Sequence, residues 1–180
     1  EEMSRATVES MLENGHDAVI ASIVYYLIGG IPLVILHRLA NTLDAMWGYK
    51  NTRYNSFGFF AARVDDILGF ISGKICTFLY AIQQPFLSGL KNAYQQGSQY
   101  KSHNGGWVMA AGATVMKISL GGNAIYHGKK ITSPTLGLAK NGSSKVKTED
   151  IPQSISLVRR ATILLVLLVF IYQLASYLLV

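Results

Sequence analysis

Residues 161–180 read ATILLVLLVFIYQLASYLLV, twenty positions whose main polar groups are Gln173 and two serine or threonine hydroxyls. As a helix at about 1.5 Å per residue this stretch spans roughly 30 Å, the thickness of a bilayer's hydrocarbon core. The core helix of a soluble protein needs one apolar stripe, whereas this one is apolar on every face. Arg159-Arg160 at its start places that end in the cytoplasm by the positive-inside rule. The stretch predicts a transmembrane helix, and with it a membrane protein.

Composition agrees. Half of the 180 residues are hydrophobic and only 14% are charged, against roughly 25% in an ordinary soluble domain. That argues against a soluble, surface-charged enzyme. The single cysteine, Cys76, excludes an internal disulfide and a multi-cysteine zinc site. The net charge is +6, yet residues 1–17 hold five acids and one base. The bases elsewhere sit between apolar blocks, which suits cytoplasmic loops and not a nucleic-acid surface. The chain opens on Glu1-Glu2 with no signal-peptide pattern, so an upstream segment is expected.

Working outward, Ala18–Leu36 is a second uncharged run, interrupted by Gly29-Gly30 and Pro32. Glycine and proline inside a helix favour a kink or a break. Ile67–Ile82, with Lys74 inside, and Trp107–Gly122, with Lys117 inside, are marginal as spans; interfacial or half-buried helices fit them as well. If all four runs crossed, the Lys/Arg balance would put 37–66 and 123–160 in the cytoplasm and the acidic N-terminal segment outside. Glu9, Glu13 and Asp17 would then stand about 30 Å from Asp44, Arg63, Asp65 and Asp66, too far to share a site. The break at Gly29-Gly30 and Pro32 is therefore expected to make this run a re-entrant pair, or a helix tilted into the bundle, with both acidic sets on one cavity. The predicted fold is all-α: a polytopic membrane helical bundle with broken or re-entrant helices and a cytoplasmic-facing polar cavity. Residues 1–138 would form the embedded core, 139–152 a flexible polar loop, and 153–180 the final transmembrane helix.

Several groups carry chemistry. Residues 3–17 read as a helix capped by Ser4 or Thr7, with Glu9, Glu13 and Asp17 in one acidic column at i, i+4 and i+8. Like charges at that spacing repel by a few tenths of a kcal/mol per pair, roughly, unless a cation sits among them. Mg²⁺, an amine or an arginine would relieve the repulsion; a solvated helix face is the plain alternative. Asn41–Asp66 packs Asp44, Lys50, Arg53, Arg63, Asp65 and Asp66 with Trp47, Tyr49 and Tyr54. Arginine and lysine suit phosphate, and paired carboxylates suit Mg²⁺, although such charges also pair with each other in ordinary loops. Gly122–Lys130 lacks the spacing and the Ser or Thr of a phosphate loop and is rejected as one. The four histidines show no metal-ligand spacing and read as structural or exposed.

The wording of the chain also carries a resemblance. It rests on Arg5-Ala6-Thr7-Val8-Glu9-Ser10 with Glu13-Asn14, Asn41-Thr42-Leu43-Asp44-Ala45-Met46 with Gly48-Tyr49, and Phe57-Gly58, Ala61-Ala62-Arg63 and Asp65-Asp66. Farther on come Asn104, Gly106-Trp107, Ala110-Ala111 and Leu120-Gly121-Gly122. Together these resemble the membrane-bound adenosylcobinamide-phosphate synthase family of cobalamin biosynthesis, over residues 3 to about 137. The turn after Glu13-Asn14, the residues after Asp66 and the stretch Ser102–Trp107 depart from the family pattern.

The resemblance implies an ATP-dependent acid–amine ligase of the cell membrane, multi-pass, its active site facing the cytoplasm. It would join the propionate of adenosylcobyric acid, a corrinoid, to the amine of an aminopropanol phosphate or threonine phosphate. ATP and Mg²⁺ are implied, with carboxylate activation through an acyl phosphate. On this reading Glu13, Asp17, Asp65 and Asp66 are catalytic, and Asp65 and Asp66 are the metal ligands. Glu9, Asn14, Asn41, Asp44, Tyr49, Lys50, Arg53, Arg63, Asn104 and Trp107 bind substrate, with Trp47, Tyr49 and Trp107 against the corrin. The lipid bilayer is a partner; a homo-oligomer or other corrinoid-pathway enzymes are open alternatives. From another class, a non-catalytic membrane sensor of the same fold would share the apolar runs.

Overall fold

The structure is a computed structural model and describes residues 2–48, 57–126, 129–138 and 146–178. Tyr49, Lys50, Arg53 and Tyr54 lie outside the described residues. The chain is mostly helical: α1 (Glu2–Asn14), α2 (Ala21–Trp47), α3 (Phe57–Ala81), α4 (Phe86–Asn92), α5 (His103–Met116) and α6 (Asp150–Leu178). One antiparallel hairpin, β1 (Ser119–Tyr126) and β2 (Lys129–Gly137), stands between α5 and α6.

The path from α1 into α2 positions the site. It runs through a π-helical stretch, Gly15–Ile20, with no break. The Tyr80 hydroxyl donates to the Leu12 carbonyl at 3.1 Å, an acceptor whose usual helical donor is the amide of residue 16. Gly15 lies under Tyr80 and Val158, where a Cβ would sit 2.6 Å from the Tyr80 oxygen. A local widening of the helix satisfies both contacts, as π-bulges at functional sites do.

Farther along, α2 turns back on itself. Gly29 (φ −147°, ψ 20°) and Gly30 (φ 63°, ψ −157°) leave helical geometry just before Pro32, and Gly30 occupies a region open in practice only to glycine. His37 Nε2 lies 3.0 Å from the Asp17 carbonyl. Twenty residues of straight helix would hold the two about 30 Å apart. Tyr25 and His37 likewise meet ring to ring at 5.0 Å. The expected break therefore exists, and it folds the apolar run into two antiparallel arms. Each arm of roughly 11 residues is about 16 Å long, half the hydrocarbon thickness. At the tip Tyr26, Leu27, Ile28 and Ile31 are all exposed.

The core gathers where α5 crosses α1, α3 and α6. Val8 and Leu12 of α1 pack with Cys76, Leu79 and Tyr80 of α3 and Val108, Met109 and Ala111 of α5. Leu157, Val158, Ala161 and Leu165 of α6 close it. Nine residues of α5, from Gly105 to Thr114, are buried. Its fourteen residues reach about 21 Å, too short to cross; α5 is the bundle's central helix.

The run Trp107–Gly122 is thus not one helix. Helix α5 stops at a left-handed Lys117 (φ 58°), whose amide bonds back to the Ala113 and Thr114 carbonyls, as helix C-termini commonly do. The chain then extends into β1, and Leu120 and Leu136 of the paired strands bury together. The hairpin is the exception to the all-α expectation. Helix α6 also starts earlier than residue 153. The Asp150 carboxylate accepts from the Lys147 amide at 2.7 Å, and Pro152 falls in the first turn, where it is tolerated.

Two helical segments, Glu2–Trp47 and Asp150–Leu178, are long and apolar enough to cross a membrane, and their most apolar windows are only 22% and 11% buried. Core helices of a soluble protein would be mostly buried. The first segment is the folded-back one, so length alone overstates its reach. The second runs free of the bundle after Leu165, with Phe170, Ile171, Tyr172, Leu174 and Tyr177 exposed all round, the surface of a membrane span.

Candidate active site

The folded-back α2 brings the two acidic sets together. The Asp17 carbonyl accepts from His37 Nε2 and, at 3.2 Å, from Arg38 Nη1. Arg38 also reaches the Asn41 side-chain oxygen at 3.4 Å, and Asn41 hydrogen-bonds the Asp65 carboxyl. Asp65 stands in the fields of Asp17, Asp44 and Asp66, and Glu13 in those of Asp17, His16, Glu9 and Asp65. Glu13, Asp17, Asn41, Asp44 and Asp65 thus form one cluster drawn from α1, the π turn, α2 and α3.

Behind Asp17 lie two buried polar side chains. Its Oδ1 is 2.6 Å from His16 Nδ1, and His16 Nε2 is 2.9 Å from the Ser72 hydroxyl. His16 and Ser72 are fully buried, while Asp17 is a quarter exposed. The Glu13 carboxylate faces the first turn of α5: a Cβ on Gly105 would sit 2.7 Å from its Oε1. Ser102 caps that turn by accepting from the Gly105 amide at 3.3 Å.

Crowded carboxylates out of water hold their protons. Burial first, and then the Asp17 charge, pushes Glu13 up to about 7. Burial and then Asp17 push Asp65 up to about 6. Asp44 is raised by burial and then by Asp66. All three lie outside the apolar stretches of their helices. A carboxyl whose folded-state pKa is raised destabilises the fold when ionised, fully so above that value and not at all below its unfolded one. In metal-free buffer, stability is therefore expected to fall as pH rises from about 4.5 to 7. Thermal unfolding in detergent across that range checks this, and Mg²⁺ is expected to flatten the fall.

The other residues separate. Asp66 is exposed, 3.8 Å from an equally exposed Arg63, a pairing that contributes little. Its carbonyl accepts from Asn104 Nδ2 at 3.0 Å. Asp66, Lys74, His103, Asn104 and Trp107 line a cavity of about 310 Å³. The Trp107 ring is not a free stacking face: the Lys74 ammonium lies over it, and its indole N–H donates to Ser98. Asn14 turns away from the cluster and bonds back to Ser10. Glu9 instead accepts from the Gly121 amide at 2.8 Å. It lines a second cavity, of about 370 Å³, with Arg5, Lys101 and the hairpin.

Asp65 is half-buried while Asp66 is exposed beside Arg63. Among the described residues no three His, Cys, Asp or Glu side chains converge as a metal cage. Mg²⁺ needs no such cage: one or two carboxylates commonly hold it, with waters and substrate phosphates completing its shell, and Asp17 and Asp65 are groups of that kind.

Spacing alone did not single out His16, His37, Ser72, Arg5 or Lys101. The first three act through contacts between residues 20 to 56 apart in the chain, which no local pattern encodes.

Compared with known proteins, the model of the CobD/Cbib protein family matches residues 1–158. That is well past residue 137 and into α6. A cobalamin biosynthesis protein CobD from Chromobacterium violaceum is 44% identical over 158 residues, covering 88% of this chain and 49% of that protein. Its counterpart from Stutzerimonas stutzeri is 45% identical over 137 residues, 76% of this chain and 45% of that protein. The one from Halalkalibacterium halodurans is 35% identical over 182 residues, 98% and 56%. The chain spans about half the length of the curated relatives it matches. No solved structure matches it.

Proposed function

The chain belongs to the CobD/Cbib family, and from that premise we propose that it carries the acid–base centre of a membrane amide synthase in cobalamin biosynthesis. The reaction joins the propionate of adenosylcobyric acid to the amine of an aminopropanol phosphate or threonine phosphate. The observation that carries this reading is Glu13: a carboxyl held at about 7, beside Asp17, Asp65 and the first turn of α5.

An alkyl ammonium is not a nucleophile until it loses a proton. A general base works best with a pKa near the operating pH, and Glu13 has that value. Asp17, backed by His16 and Ser72, adds negative charge that holds an ammonium before the transfer and favours Glu13 as the proton's acceptor. Asn41 and the Arg38 guanidinium fix the orientation of Asp65 and of the Asp17 backbone. Asp17 and Asp65 would hold Mg²⁺ and its ATP, which would supply the phosphoryl group that makes the propionate an acyl phosphate with ADP leaving; the amine then displaces phosphate. The buried wall behind the cluster keeps water away from such an activated carboxyl.

Both cavities are at the small end of the roughly 300–1,000 Å³ range that encloses a drug-sized ligand. A corrinoid is larger and would lie across the open face, with only its propionate entering. The short re-entrant arms and the apolar α6 support a cluster near a membrane surface, and a reaction that consumes ATP calls for the cytoplasmic side.

The test is amide formation by the full-length protein in detergent, supplied with adenosylcobyric acid, aminopropanol phosphate, ATP and Mg²⁺. Product that requires all four supports the proposal. Tight binding of the corrinoid with no product under any of these conditions would favour a sensor.

A further inference from the structure

His16 and Asp17 are consecutive in the π-helical stretch Gly15–Ile20, and neighbouring elements hold the pair at several points. The Asp17 carbonyl accepts from His37 and Arg38 of the second arm of α2 at 3.0 and 3.2 Å. Its carboxylate meets His16 Nδ1 at 2.6 Å. At the ring's other nitrogen the imidazole packs on α3. Nε2 lies 2.9 Å from Ser72 Oγ, and a Cβ on Gly73 would stand 3.6 Å from the same nitrogen. The ring is 1% exposed and the hydroxyl fully buried, so bulk water supplies neither with a partner.

The neighbours decide where the ring carries its hydrogen. A bare Nδ1 lone pair 2.6 Å from a carboxylate oxygen would repel it, so Nδ1 carries a hydrogen. The approach is close, without the straight N–H···O line of an ideal hydrogen bond. With Nδ1 protonated, a neutral ring offers Nε2 as an acceptor, and the Ser72 hydroxyl stands where it can fill it. The other acceptors for that hydroxyl are the Leu68 and Gly69 carbonyls at 3.3 and 3.4 Å. Both are longer contacts, and the Leu68 carbonyl already accepts from the Tyr25 hydroxyl. Ser72 thereby fixes the tautomer of the ring and its orientation together.

Asp17 is the residue this arrangement serves. Its charge acts on both Glu13 and Asp65, and a carboxylate engaged at one oxygen keeps acceptor capacity at the other. Held at its carbonyl by α2 and at Oδ1 by His16, the side chain has already given up rotamer freedom that a loose aspartate would lose on taking a ligand. We propose that His16 is a positioning residue: anchored to α3 by Ser72, it holds the Asp17 carboxylate in the orientation from which it takes up a divalent cation. The proposal rests on the amide-synthase reading for the identity of that cation as Mg²⁺. His16 itself neither binds the cation nor exchanges a proton in this role.

The experiment is a Mn²⁺ titration of the full-length protein in detergent, without nucleotide, with free Mn²⁺ read by electron paramagnetic resonance. Mn²⁺ takes the same oxygen ligands as Mg²⁺. Two substitutions separate the ring's two nitrogens. His16→Asn puts an amide N–H near the Nδ1 position and still reaches Asp17, whereas His16→Gln puts its amide near Nε2 and reaches Ser72 alone. His16→Gln is expected to weaken Mn²⁺ about 10- to 100-fold, the usual effect of removing the partner of a ligating group. His16→Asn is expected to restore most of that loss. In an Asp17→Asn background His16→Gln should cost little further affinity, since the two residues act as a unit. Melting temperatures in metal-free buffer report packing separately. Equal losses in the two variants, tracking their melting temperatures, would make His16 a packing residue and overturn the proposal. Wild-type affinity in His16→Gln would overturn it too, as would a wild type that binds no Mn²⁺. Mn²⁺ binding that depends on His16 in a protein that forms no amide would keep the positioning role and remove the synthase reading. Amide formation with an unaltered Mg²⁺ requirement in His16→Gln would do the reverse.

Discussion

Glu13→Gln is expected to lower the turnover of amide formation by about 10²- to 10⁴-fold, the range a positioned general base contributes. The side chain keeps its size and its place against the first turn of α5, so the loss should fall on kcat and leave the KM for the corrinoid nearly unchanged. The substitution also removes a carboxyl that burial and Asp17 hold at about 7. Above that pH the wild type carries the cost of an ionised, crowded Glu13 and the variant does not. The variant is thus expected to be more stable than wild type at pH 8 and no more stable at pH 4.5. Wild-type turnover with a raised melting temperature would make Glu13 a merely buried acid. Loss of both activity and stability would mean that the carboxylate bridges something the fold needs.

The second large effect is on stability. Gly97 and Gly106 let the π-helical turn Ala93–Gly97, which follows α4, press backbone to backbone against α5. A Cβ on Gly106 would meet the Gly97 carbonyl and the Tyr100 Cβ at 2.5 Å. The first is main chain and cannot rotate away, and α5 carries the core. Gly106→Ala is expected to cost about 1–3 kcal/mol, the usual range for overpacking, and to loosen the turn that holds Lys101. Thermal unfolding reads this directly. A melting temperature equal to wild type would show that the two segments separate easily, against the close packing described here.

Much of this was legible before any coordinates. The apolar stretch 161–180 announced itself by length and by the absence of a polar face. Gly29-Gly30 with Pro32 marked the break, and the demand that Glu13 and Asp65 share a site said which way the chain had to turn. Trp107–Gly122 was harder. Its apolar run crosses from helix to strand at Lys117, where hydropathy alone carries no boundary signal.

The candidate site was legible in part. The acidic column of α1 could be read from i, i+4 spacing, but not which of its members would be buried. Tertiary packing decides that Glu13 faces α5 while Glu9 meets the hairpin. Asp65 and Asp66 looked equivalent as neighbours; successive residues on a helix point about 100° apart, and Asp65 is half-buried where Asp66 is exposed. His16 could not be assigned from sequence, since its role depends on Ser72, fifty-six residues away. Tyr49, Lys50 and Arg53 lie outside the described residues, and their expected roles stand as proposals.

A site shared by Glu13, Asp17 and Asp65 requires α2 to fold back so that α1 and the α2–α3 region lie on one side of the membrane. Single cysteines at Ser10 and Ala45, both exposed, test it with a membrane-impermeant maleimide applied to right-side-out and inverted vesicles. Native Cys76 is fully buried and serves as the unlabelled background. Both positions are predicted to react from the same, cytoplasmic side. Labelling of position 10 from one side and position 45 from the other would mean that Ala18–Leu36 crosses the bilayer, and would contradict a site shared by Glu13, Asp17 and Asp65.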